Sequence, residues 1–303
     1  MVCSEIVQHF EYQSYCNYYH FTVLINCSQA AFPKHEAYDS STVPRHHLSN
    51  RVRTKYVGYK GKIYNRRSPS TIKVTATISV SQAAHDKAVK HIERMVKHMP
   101  AYIFRAIADN GSGVGIFSRN EKITVFPENY LLKNKANCGR SCSGSCMLTC
   151  TTDGRKLEDL DGVTNTLSAV REDRILCTNG PDAENVLVHE FAHQVYNYMP
   201  DGDHESIKEI YNHAKQHWIW YADSYAMSNP TEYWAEATQA FFHVTNRTDV
   251  TGGLNMCNFG QYVCRTESEG RKHIQSRDPL LFDFLSKIYT NNQPNISSGL
   301  TTC

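Results

Sequence analysis

Residues 184–198 read ENVLVHEFAHQVYNY, with His189 and His193 four apart and Glu190 directly after the first. Leu187, Phe191, Val195 and Tyr198 recur at helical spacing, so a helix with one apolar face is expected here. Residues i and i+4 share a helix face, so both imidazoles can aim at one metal ion. Glu190 sits one residue round, where it can touch a water at that ion but not replace it. In a chain with 15 histidines, chance alone yields HExxH at a rate of roughly a few per cent. The motif therefore needs a third ligand and a fitting structural context. A zinc ion that does chemistry keeps one position open, so three protein ligands are expected.

Other histidines are poorer starting points. His35-Glu36 and His204-Glu205 lack the second histidine, and His213 and His217 have the spacing with no glutamate between them. No glycine and third histidine follow HEFAH in the metzincin manner. What remains is a glutamate on a downstream helix. NPTEYWAEATQAFF supplies Glu232 and Glu236, four apart and on one side. Asn229 reads as the N-cap of that helix, and a capping box with Asn229 would by itself explain Glu232. A carboxylate on the metal with a second one holding a ligand imidazole is also a common arrangement. On the residues alone, either glutamate could be the ligand.

The surrounding pattern is α+β. TIKVTATISV (71–80) alternates as a strand. Ser81 then caps a helix to about Met99, and a short helix follows to Gly111. GVGIFSR and KITVFPE read as two strands of a hairpin around Arg119-Asn120-Glu121, and SAVREDRILC as another strand. Asn179-Gly180-Pro181-Asp182 is expected to open the HEFAH helix, with proline at its first position. Further helices are expected over about 205–214, from Asn229-Pro230 to about His243, and from Asp278-Pro279 onward. Residues 1–68 are aromatic and basic without clear periodicity, and NRRSPS (65–70) marks a boundary. We expect 1–68 to be a separate N-terminal region, a pro-segment or a misassigned start, and 69–303 to be the main domain.

A net charge of +2 argues for neither nucleic acid nor an anionic membrane as partner. No apolar run approaches the ~18 residues of a membrane span. Of 11 cysteines, Cys3, Cys16 and Cys27 lie near the start and eight lie from Cys138 onward, enough for four disulfides. Four N-x-[ST] sequons, at Asn26, Asn110, Asn246 and Asn295, also suit a secreted glycoprotein. The expected signal peptide is absent from this sequence. CGRSCSGSCMLTC (138–150) reads as a disulfide-bonded surface segment rather than a metal cluster, with some bridges expected to reach Cys177.

VLVHEFAH and SYAMSNPTEYWAEATQAFF (224–242) resemble the active-site segments of the anthrax toxin lethal factor-like zinc metallopeptidases, a branch of the gluzincins. SAVREDRILC and DPLLFDFL are similar to secreted animal and fungal members. The resemblance covers about residues 150–290 and not 1–68. It implies a zincin-like fold with a mixed sheet, an active-site helix carrying HExxH and a second helix carrying the glutamate ligand. It further implies one Zn2+ per chain on His189, His193 and Glu232, Glu190 as general base, Tyr225 as a hydroxyl directed into the site, and Glu236 supporting a ligand imidazole. The implied activity is zinc-dependent hydrolysis of peptide bonds, with a peptide or protein as partner. A rim strand, Gly113–Phe117 or Ser168–Asp173, is expected to align that peptide. The competing expectation is a secreted toxin-like or binding module that keeps the fold without significant proteolysis. A further one is a zymogen in which Cys3, Cys16 or Cys27 occupies the fourth metal position.

Overall fold

In the computed structural model, which describes residues 52–303 except 152–153, 179 and 181–183, the chain opens with antiparallel strands. β1 (Val52–Gly58) pairs with β2 (Ile63–Tyr64) on one side and with β3 (Thr71–Thr77) on the other. The sheet is therefore under way by Val52, and the boundary expected at 68/69 falls inside it. Cys3, Cys16, Cys27, Asn26 and the pro-segment reading of the N-terminus lie outside the described residues.

β3 carries its alternation through to burial. Ile72, Val74 and Ala76 are fully buried, while Thr71, Lys73 and Thr75 are only partly covered. The chain then turns into α1 (Gln82–Val96), whose N-cap Ser81 accepts a hydrogen bond from the Ala84 amide. α1 and α2 (Ala101–Asp109) pack their apolar stripes on the sheet. β4 (Gly113–Phe117) returns parallel to β3 and is buried along its whole length.

No hairpin follows β4. Residues 123–125 and 127–132 form 3-10 turns instead of a strand. Ile123 and Phe126 are both buried against Phe117, Leu132 and Leu167 on the sheet face away from the helices. A strand would send residues three apart to opposite faces, whereas a 3-10 turn keeps them on one side. Gly115 makes room for this cluster, because a Cβ there would stand 2.7 Å from Phe126 Cε2 and from Leu167 Cδ2.

Two strands complete the sheet. β5 (Gly162–Thr164) and β6 (Leu167–Arg171) are antiparallel, and β6 runs parallel to β4, giving the order β2-β1-β3-β4-β6-β5. SAVREDRILC is thus a strand only as far as Arg171. There the Arg171 guanidinium bonds Asp173, and α3 (Glu172–Leu176) begins with two acidic residues in its first turn. β4 and β6 each have neighbours on both sides, so neither can take up an added strand. The open edge beside the site is β5.

The remaining helices are α4 (Val186–Asn197), α5 (Asp201–Gln216), α6 (Pro230–Phe241), α7 (Thr248–Thr251), α8 (Glu267–Arg277) and α9 (Pro279–Thr290). α4 starts at Val186 with Asn185 as its cap, not near Pro181, which lies outside the described residues. Asn229 and Asp278 cap α6 and α9 from the positions expected. A small hairpin, β7 (Met256–Cys257) and β8 (Tyr262–Val263), separates α7 from α8.

All eight cysteines from Cys138 onward are paired, as Cys138–Cys146, Cys142–Cys150, Cys177–Cys303 and Cys257–Cys264. The 138–150 segment is closed on itself. Cys177 bonds the C-terminal residue rather than that segment, which corrects the expected pairing. Among the described residues no helix is long and apolar enough to cross a membrane.

Candidate metal centre

α4 lies between the sheet and α6, and most of its residues are buried. Its first turn is secured by Asn185, whose side-chain oxygen accepts from the Val188 amide at 3.3 Å. The Asn185 amide nitrogen stands 3.4 Å from Nε2 of buried His91 on α1. α6 crosses α4 and is tied to it by Trp234, whose indole donates to the Ala192 carbonyl at 3.0 Å.

These two helices bring three donors together. His189 Nε2 and His193 Nε2 are 3.0 Å apart, and Glu232 Oε2 lies 3.2 Å from the first and 3.3 Å from the second. Donors bound tetrahedrally at 2.0–2.1 Å stand about 3.3 Å from one another, so the spacing suits zinc. Among the described residues this is the one group of His, Cys, Asp and Glu donors close enough to share an ion. His213 and His217 lie with tilted rings, centroids 4.4 Å apart, but gather no carboxylate.

The two glutamates of α6 divide their tasks. Asn229 accepts from the Glu232 amide at 3.0 Å, so the backbone of Glu232 is capped while its carboxylate turns to the histidines. Glu236, one turn on, accepts from His189 Nδ1 at 3.0 Å with Oε1. That contact directs the Nδ1 proton at Glu236 and turns the Nε2 edge of the ring towards Glu232 and His193. Glu232, not Glu236, stands on the Nε2 side. Oε2 of Glu236 is buried without a hydrogen-bond partner.

The charges follow this packing. Burial alone would lower the His189 pKa, but the Glu232 and Glu236 carboxylates outweigh it and hold the imidazole well above its ordinary value. Burial pushes Glu232 up, and its bonds to His189 and His193 overcome this and hold it well below the usual carboxylate range.

Glu190 is buried at the same place, 8% exposed. Burial raises its pKa against the opposing pull of His189, His193 and a hydrogen bond from Thr164. The Thr164 hydroxyl lies 2.6 Å from Glu190 Oε2. Gly162, two residues earlier on β5, leaves space for the same carboxylate, because a Cβ there would lie 2.8 Å from Glu190 Oε1. The sequence carries no local sign of either contact.

Tyr225 lies across the cluster. Its ring stacks on His189 with centroids 6.2 Å apart, its hydroxyl lies close to the Glu232 carboxylate, and 45% of the residue is exposed. Desolvation of the hydroxyl, followed by the negative charge of Glu232, raises its pKa well above the ordinary phenol value, so it stays a donor. The arrangement offers an acceptor and a donor beside the three clustered donors.

No protein-family model and no curated protein matches the chain. Among solved structures it is similar to a Pro-Pro endopeptidase from Paenibacillus alvei, at 21% identity and a TM-score of 0.37, covering 67% of this chain and 91% of that one. At that distance the likeness assigns no chemistry here, and the site stands on its own geometry.

Proposed function

We propose that the chain is a zinc-dependent endopeptidase of the lethal factor-like, gluzincin type. The observation that carries the reading is the convergence of His189, His193 and Glu232 on one point, with Glu190 buried beside them. His189, His193 and Glu232 would hold the ion. When bound, zinc would supply Lewis acidity, lowering the pKa of a bound water towards ~7 and polarising the scissile carbonyl. Glu190 accepts the proton of the attacking water and passes it to the leaving amine. Its raised pKa suits both tasks, because a stronger carboxylate base is also an acid able to give the proton back. Tyr225 donates its hydroxyl to the oxygen on which negative charge develops. Glu236 orients His189. The substrate strand would lie along the free edge of β5, the one edge next to Glu190.

Secretion is part of the proposal. Four disulfides suit an oxidising compartment, and Asn110, Asn246 and Asn295 are all exposed, as glycan acceptors must be.

The test combines metal analysis with digestion of a peptide library, with and without chelator. One zinc per chain and chelator-sensitive cleavage are expected. Glu190→Gln should keep zinc and lose turnover, and Glu232→Gln should lose metal affinity too. Absence of stoichiometric metal overturns the reading, and wild-type turnover by Glu190→Gln would leave the base unassigned.

A further inference from the structure

The hairpin β7–β8 presents one residue that neither packing nor local preference explains. Phe259, at its tip, is 96% exposed. Its φ is 55°, and Asn258 and Gly260 on either side are also left-handed, at 49° and 83°. Asparagine and glycine accept this conformation readily, but a bulky aromatic residue adopts it at a cost. Full exposure gives back no burial to offset that cost. A disulfide, Cys257–Cys264, closes the base of the hairpin and holds the tip in place. Outliers of this kind are a reason to look for function.

The hairpin is joined to the metal centre through a short, well-tied segment. The Tyr221 amide donates to the Gly252 carbonyl at 3.0 Å. The Tyr221 ring lies against Gly253 and against Gly260 of the hairpin, since a Cβ on Gly253 would be 3.4 Å from its Cε2 and one on Gly260 2.9 Å from its hydroxyl. From Tyr221 the chain makes one tight turn, the Ser224 amide donating back to the Tyr221 carbonyl at 3.0 Å. The next residue is Tyr225, which stacks on His189. Tyr225, Tyr221 and Phe259 are thus linked through one turn and the Tyr221–Gly260 approach, and are 45%, 55% and 96% exposed.

We infer that Tyr225, Tyr221 and Phe259 form an aromatic platform that selects peptide substrates with bulky apolar side chains outside the scissile pair. The inference rests on the peptidase reading. Aromatic rings offer large, stiff apolar faces, and an apolar side chain laid on them covers area that is otherwise wet. Continuity with Tyr225 makes the substrate chain the occupant. A lipid surface fits less well, because Asp223 is exposed between the two tyrosines and an anionic bilayer would repel it.

Phe259→Asn is the decisive variant. Asparagine tolerates the left-handed backbone, so the hairpin should keep its fold while the ring is lost. Two measurements on the zinc-loaded full chain decide the matter. In the first, wild type and Phe259→Asn digest a peptide flanked by Leu and Phe and a matched one flanked by Gly and Ser. The kcat/KM ratio of the first peptide to the second should fall by about tenfold in the variant. In the second, the Glu190→Gln protein, with and without Phe259→Asn, captures peptides from a randomised library without turnover. Enrichment of bulky apolar residues should be present with Phe259 and lost without it. An unchanged ratio and unchanged enrichment overturn the platform even where the wild type cleaves well. Loss of anionic-vesicle binding in Phe259→Asn with peptide selection intact overturns it in favour of a membrane. If the wild type cleaves nothing, the peptidase reading fails, and capture alone decides the platform.

Discussion

The Thr164 hydroxyl stands 2.6 Å from Glu190 Oε2 and 2.7 Å from the carbonyl oxygen of the same residue. It also lies 3.0 Å from Ser168 Oγ, yet it has one proton to give. The charged carboxylate is the strongest of these acceptors. An edge strand therefore fixes the orientation of the group proposed as base, and Gly162 on that strand lets the carboxylate approach.

Thr164→Val should leave zinc content unchanged and lower kcat by about 10–100-fold. This corresponds to loss of one hydrogen bond to a charged group, about 1.5–3 kcal/mol. Thr164→Ser should restore most of the rate. Equal losses in both variants would place the effect in packing rather than in the hydroxyl.

Glu236→Gln tests the support behind His189. The glutamine oxygen can still accept from Nδ1, but the charge is gone. Zinc affinity should weaken by about 10–100-fold, towards the lower end, with a larger loss for Glu236→Ala. Competition with a chelator of known affinity measures it. Full affinity in both variants would remove Glu236 from the site.

The histidine pair and its partner glutamate were legible because helices state their geometry locally. Spacing of four, the asparagine cap at 229 and proline at the first position of α6 carry that geometry in the sequence, whereas the Asn185 cap of α4 was not anticipated. Even so, spacing alone left Glu236 open as an alternative to Glu232; the crossing of α6 over α4 separates them. The seat of Glu190 was not legible. β5 is three residues long and is a strand only through its pairing with β6. KITVFPE misled for a related reason, since its β-branched residues suit a strand until Ile123 and Phe126 find one shared cluster. Pairing of Cys177 with Cys303 joins residues 126 apart in sequence, which no local pattern can announce.

His91 makes folding stability fall on the acid side. Burial, helped by Lys87 and Lys90, lowers its pKa from 6.5 to about 3, and Nδ1 has no partner. Between these values the unfolded chain binds a proton that the folded chain refuses. This contribution is complete above pH 6.5 and is lost as pH falls towards 3, by up to about 1.4 kcal/mol per pH unit. His91→Gln keeps an acceptor for Asn185 and cannot titrate. Denaturant unfolding of metal-free protein at a series of pH values should show a shallower acid slope in the variant. Parallel curves would mean that His91 is solvated at some cost the structure does not show.

Tyr225→Phe removes only the hydroxyl, so ring stacking on His189 and bound zinc should both survive. If that hydroxyl donates to the developing oxyanion, its bond strengthens as charge builds there. The loss should then fall on kcat, with KM little changed. Removal of one oxyanion donor costs about 10²–10³-fold, and the lower end is expected because the metal shares the stabilisation. The hydroxyl sits beside the negative charge of Glu232. Its raised pKa keeps the proton on it throughout the working range. Zinc content measured alongside separates this role from a structural one. A fall in kcat with lost zinc would place the hydroxyl in support of Glu232, and near-wild-type kcat with zinc intact would leave the metal as the oxyanion stabiliser.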